Sequence, residues 1–149
     1  MENAAPRLMF PALRPFYDWA EPVSWALIRI TAGLMLIPHG WPKLMMGINA
    51  TAQMALVKRG IAPAEPLAVA LIALETLGGL CIALGLFTRF WAAAAAIEML
   101  VITCIYWKTG FAWLQRGYEY TLLWGLICFA IALRGGGPYS LDRKIGVQL

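Results

Sequence analysis

Apolar residues fall in four long blocks separated by short polar stretches, at about 22–41, 66–86, 90–107 and 118–134. Each block is 17 to 21 residues long, and a hydrocarbon core of about 30 Å takes roughly 20 helical residues to cross. The period-2 alternation of a half-buried strand is absent. In lipid a lone segment must satisfy its own backbone hydrogen bonds, so the blocks predict helices. The expected fold is an all-α integral membrane protein, a four-transmembrane-helix bundle formed by one domain over residues 1–149. Trp25, Trp41, Trp91, Tyr106, Trp107, Tyr118 and Tyr120 lie near the block ends, where an aromatic belt is expected.

The connections differ in length. The stretch 42–65 is long, and its middle, 51–59, is predicted as a short interfacial helix. Blocks two and three are joined by a few residues around Thr88 and Arg89, so they are antiparallel neighbours. The loop 108–117 is aromatic and amphipathic. No internal repeat is visible. The stretch 3–19 contains Pro6, Pro11 and Pro15, and is expected to lie on the membrane surface or wrap as a loose arm. It lacks the continuous apolar run of a cleavable signal peptide.

Composition strengthens the membrane reading. The 149 residues are 61% hydrophobic and 13% charged, against about half and a quarter in soluble domains. Low charge also excludes intrinsic disorder. Twelve Lys and Arg against eight Asp and Glu give a net charge of +4. The cations are scattered between apolar runs, without the stripe that a nucleic-acid binder carries. With four spans both termini share a side. That side carries Arg7, Arg14, Arg89, Arg134, Arg143 and Lys144, against Lys43, Lys58, Arg59, Lys108 and Arg116 opposite. The small excess leans towards cytoplasmic termini.

The ionisable residues inside the blocks mark a candidate site, because a charge at the bilayer centre costs at least about 2.5 to 3.5 kcal/mol. At 1.5 Å per residue, Arg29, Glu98 and Glu75 lie about 10, 12 and 16 Å from the terminal side. They are expected to form one inner layer of one cation and two carboxyls. Two like charges there disfavour double ionisation, so Glu75 and Glu98 are expected to share a proton. His39, Lys43 and Glu119 fall near the opposite interface and form an expected outer layer. The alternative role for the charges is an ion pair that locks helix packing. Gly33, Gly78 and Gly79 sit beside them and predict close helix contacts.

Cys81, Cys104 and Cys128 each lie within a block, with no CxxC pair, and read as small buried hydrophobes. A single histidine, His39, gives no metal-binding cluster. Nucleotide-binding loops and nucleophile elbows are also missing.

Five strings carry a resemblance that runs from about residue 26 to 143. They are Arg29 to Gly33; His39-Gly40-Trp41-Pro42-Lys43-Leu44; Glu75 to Gly79 with Gly85 to Arg89; Gly117-Tyr118-Glu119-Tyr120; and Gly135 to Asp142. In this order they resemble the DoxX family of small four-helix bacterial membrane proteins. Members often carry a histidine near the end of the third span. Tyr106 stands there in this chain and does not carry a proton near neutral pH.

The resemblance implies a bacterial inner-membrane protein. Its relatives are linked to thiosulfate:quinone oxidoreduction, to oxidative-stress complexes and to cargo handling. The first expectation is an accessory subunit of a quinone-linked redox system. Glu75 and Glu98 would handle protons, and Arg29, His39, Lys43 and Glu119 would contact a quinone-like ligand. A protein partner or a homo-oligomer is expected in addition to the lipid bilayer. A non-enzymatic membrane adaptor, recruiting partners through loops such as 111–116, is one alternative. A small-solute carrier is another, and it requires oligomerisation.

Overall fold

The computed structural model describes residues 7–149. The part of the expected surface arm at 3–6 lies outside the described residues. Helices account for the regular structure, and no strand occurs among the described residues. After a 3-10 turn at Pro11–Leu13, α1 spans Arg14–Leu34, α2 Ile37–Met46 and α3 Ile48–Thr51. Next come α4, Ala64–Ala73, and α5, Gly79–Leu84, joined by a π-helical segment Leu74–Gly78. The last three are α6, Thr88–Tyr106, α7, Glu119–Arg134, and the short α8, Leu141–Ile145.

The first helix begins at Arg14, a turn or more before the apolar block, and so replaces the last third of the expected loose arm, 14–19. Pro15 sits in the first helical turn, where a missing N–H removes no hydrogen bond. Pro22 lies inside α1 without ending it. The expected helix at 51–59 is present as the end of α3, a π-helical Ala52–Leu56 and a 3-10 turn Val57–Arg59.

Three helical stretches are long and apolar enough to cross a bilayer: Pro11–Met46, Ala64–Leu84 and Thr88–Thr109. The fourth helix, α7, has only 16 residues.

α1 and α2 run antiparallel to α4 and α5, and α6 pairs with α7. The approach of α1 to α5 is backbone to backbone. A Cβ on Gly33 would collide with Gly79 and Ala83, and one on Gly79 would lie 2.8 Å from the Gly33 carbonyl. Gly78 lies under the Trp91 ring in the same way. The core contains Trp25, Leu36, Ile82, Met99, Trp124 and Ile131, interleaved with alanines of α6. Leu27, Leu34, Leu77, Leu84, Ile97, Leu100, Leu126 and Leu133 face outward. Apolar exposure on this scale fits lipid contact, not water. Trp25 is an exception to the expected belt: it is buried, and its Nε1–H donates to the Gly135 carbonyl at 3.0 Å.

Candidate functional site

The six sequence-predicted residues separate into four places. Lys43 and Glu75 form a direct ion pair, in which the ammonium group reaches both carboxylate oxygens. Glu75 is 3% exposed. Its position in the π-helical turn of the α4–α5 stretch is typical of functional sites. The local sequence explains how Lys43 gets there. Gly40 lies one turn before it on the same face of α2. A Cβ at Gly40 would stand 2.7 Å from both Glu75 Cβ and Thr76 Cγ2. Only glycine lets α2 touch the Glu75 backbone so closely, and that contact brings the lysine to the carboxylate.

Glu98 faces the same cavity as this pair, from α6. Both Glu98 oxygens are buried, and no donor among the described residues reaches either one. The three side chains line a cavity of about 500 Å³ between α4 and α6. Its walls are apolar, including Leu67, Leu71, Leu74, Ile97, Val101 and Ile105, and Arg59 and Tyr106 also line it. Arg59 Nη2 lies 3.4 Å from the Tyr106 hydroxyl. Mostly apolar walls with a few convergent polar groups, at this size, are the pattern of a small-molecule site.

Arg29 does not join the glutamates, which corrects the expected inner layer. Its guanidinium donates to the carbonyls of Ile82 and Ala83 at 2.7 and 2.6 Å, and to that of Tyr139 at 2.8 Å. The reason is directional. Side chains on a helix lean towards its N-terminus, and α1 is antiparallel to the α4–α5 stretch. Arg29 therefore leans to the terminal side while Glu75 leans away from it. Its acceptors Ile82 and Ala83 lie seven and eight residues beyond Glu75, about 10 to 12 Å along the helix.

The expected outer layer does not assemble either. His39 sits edge-on to Trp124, with ring centroids 5.6 Å apart. Glu119 accepts the Trp113 N–H at 3.3 Å in the α6–α7 loop. Lys43 has left for Glu75.

Asp142 was not singled out in the sequence as a site residue. It is 1% exposed. It accepts the Phe87 N–H at 2.7 Å, the Thr88 N–H at 3.0 Å and the Thr88 hydroxyl at 2.6 Å. A carboxylate there caps the N-terminus of α6 and complements its dipole. With Arg29 it anchors the C-terminal segment across α1, α5 and α6. A seven-residue gap from the last apolar block and an ordinary Ser-Leu-Asp context gave no sign of burial. Of the cysteines, Cys81 and Cys128 are buried as expected, but Cys104 is exposed on the outer surface of α6. Among the described residues no group of His, Cys, Asp and Glu is placed to hold a metal ion.

The chain is similar to an uncharacterized protein of Haemophilus influenzae, at 28% identity over 129 residues, 83% of this chain and 92% of that one. No solved structure matches it. The family model of DoxX matches residues 24–108, a stretch that holds α2, the π-helical turn and all three residues of the buried cluster. The protein belongs to the DoxX family and is a membrane protein whose outer surface contacts the lipid bilayer.

Proposed function

We propose that this protein is a membrane-embedded accessory subunit of a quinone-linked redox system, and that the α4–α6 cavity takes a quinone-like amphiphile. In this reading α7, with its flanking loop, is the fourth span, and residues 1–149 form one domain in a bacterial inner membrane with cytoplasmic termini. The observation that carries the proposal is the Lys43–Glu75–Glu98 cluster lining an otherwise apolar cavity. An apolar isoprenoid tail fits walls of Leu, Ile and Val. A ring with oxygen substituents fits a site that offers one ammonium and two carboxyls. Arg29, His39 and Glu119 lie outside this cavity and are left out of the ligand site.

The chain's own residues hold the proton. Lys43 and Glu75 cancel in charge. Glu98, whose two buried oxygens no donor among the described residues reaches, is held as the carboxylic acid in this apolar cavity. The cluster then carries no net charge, which is the state that low dielectric favours. A bound quinone supplies the two-electron, two-proton couple. Rotation of the Glu98 side chain aims its proton into the cavity, and the Lys43 ammonium steadies the carboxylate left behind. Electrons come from a partner subunit.

The test is saturable binding of a short-tailed quinone analogue to the protein in lipid nanodiscs. We expect wild-type protein to bind, and Glu98→Gln to melt normally yet bind about tenfold more weakly, the loss of one hydrogen bond from the carboxylic acid. Absence of saturable binding, or equal binding by Glu98→Gln, overturns the reading. Isolation from native membrane as a stable complex without quinone supports the adaptor instead.

A further inference from the structure

The connection between α6 and α7, residues 107–118, is folded inward in its polar groups and outward in its apolar ones. The Tyr118 N–H donates to Gly110 O at 3.1 Å, the Glu119 N–H to Phe111 O at 3.0 Å and the Gly117 N–H to Ala112 O at 3.0 Å. Thr109 Oγ1 lies 2.6 Å from the Tyr106 carbonyl and 3.0 Å from that of Arg116. Tyr118 stacks on Trp107 with centroids 4.5 Å apart, and Phe111 meets Tyr118 edge-on. At Gly117 the two limbs of the loop cross so closely that any Cβ would strike the backbone of Gly110 and Phe111. Phe111, Trp113 and Leu114 nevertheless point outward, Leu114 with 79% of its surface exposed. Lys108 and Arg116 flank them and are also exposed.

The length of α7 gives this construction a purpose. Its 16 residues rise about 24 Å, about 6 Å short of a 30 Å hydrocarbon core. A short span is accommodated by bringing its flanks into the boundary region. Non-helical backbone is tolerated at that depth where its polar groups find partners within the protein or in the wet headgroup layer, and this loop satisfies several of its own, from Gly110 to Glu119.

We propose that the loop 107–118 is embedded in the headgroup–acyl boundary of the bilayer and completes the fourth span. Phe111, Trp113 and Leu114 rest on acyl carbon. Lys108 and Arg116 reach lipid phosphates, so the partner is phospholipid, with anionic headgroups favoured by charge. This does not depend on the quinone reading.

The test uses the full chain in vesicles of phosphatidylcholine and phosphatidylglycerol. A nitroxide is attached through Leu114→Cys in a Cys104→Ser background, Cys81 and Cys128 being buried. Its collisions with oxygen and with a water-soluble nickel chelate are compared. The expected oxygen-to-nickel ratio lies well above that of a nitroxide in water. Quenching of tryptophan emission by brominated lipid, compared between wild type and Trp113→Phe, checks the same depth without the label. We expect Trp113→Phe to lose part of the quenched emission. A nickel-dominated pattern at position 114, or quenching that Trp113→Phe leaves unchanged, overturns the inference and points to a protein partner for the loop.

Discussion

At the scale of single residues, the chain keeps its ionisable groups in two clusters at different depths. In the upper one, Lys43 is the cation that balances a buried carboxylate. Lys43→Met leaves Glu75 buried and uncompensated, and removing one partner of such a pair costs about 3–5 kcal/mol. Adding Glu75→Gln removes the orphaned charge, so the double variant should recover most of the loss. Thermal melting in detergent reads both; Lys43→Met melting like wild type would show that the pair is not a structural unit. In the lower cluster Asp142 holds three donors at the start of α6. Asp142→Ala should cost about 2–3 kcal/mol, since hydrogen bonds to a charged acceptor are the costly ones to orphan. The same loss should not alter quinone-analogue binding per folded molecule, because Asp142 is not among the residues lining the α4–α6 cavity. The sequence identified Arg29, Glu75 and Glu98 as buried charges, because charged residues inside apolar blocks stand out. It could not pair them. Helical rise sets the depth of a Cα, but an arginine reaches several ångström beyond its own, and in antiparallel helices the side chains lean in opposite directions. Asp142 was missed for the opposite reason: outside the apolar blocks nothing distinguishes a buried carboxylate from a solvated one.

At the scale of elements, the positions of the helices were legible and their ends less so. Apolar blocks predicted the four main helices, and a short loop around Thr88 correctly predicted α5 and α6 as neighbours. Prolines misled at the N-terminus because their effect depends on position in the helix: Pro15 is harmless in a first turn. The π-helical turn at Leu74–Gly78 left no mark in the sequence. The glycines are informative: Gly33, Gly78 and Gly79 predict close helix approach, and the structure puts Gly33 against Gly79 and Gly78 under Trp91. Gly40 controls the site most directly, setting the distance between α2 and the Glu75 turn. Gly40→Ala forces its Cβ against Glu75 Cβ and Thr76 Cγ2. Overpacking of this kind costs about 1–3 kcal/mol, and moving α2 away also lengthens the Lys43–Glu75 contact. The variant should therefore lose both thermal stability and quinone-analogue affinity. Gly125→Ala is the control: its Cβ would meet Met99 Cβ at 3.0 Å in the α6–α7 contact, away from Lys43. It should cost stability alone; equal loss of affinity in both variants would count against Gly40 acting through Lys43.

At the scale of the whole molecule, the two helix pairs are anchored near the termini and less tightly closed on the far side. Arg29, Asp142 and the Trp25–Gly135 hydrogen bond tie α1, α5, α6 and the C-terminal segment together. Further along, α4 and α6 part to leave the cavity that holds Glu75 and Glu98, with Ala70 and Ala94 on its facing walls. A base anchored at Arg29, Asp142 and Trp25 can admit a ligand above it without loosening, because none of those three residues lines the cavity; only the Lys43–Glu75 pair belongs to both the packing and the cavity. The architecture therefore separates the terminal-side anchors from the binding cavity, and that separation is measurable. Ala94→Trp places an indole in a space of about 500 Å³, where filling a void need not strain the core. It should melt within a few degrees of wild type, because the indole enters open cavity and not a packed core. In the nanodisc titration it should abolish saturable binding of the quinone analogue. Leu133→Trp, on the lipid-facing groove between α6 and α7, should leave that binding intact. If Ala94→Trp binds the analogue as wild type does, the ligand sits elsewhere on the protein. If it fails to fold while Asp142→Ala melts unchanged, the rigid part of the bundle is the α4–α6 cleft and not the base.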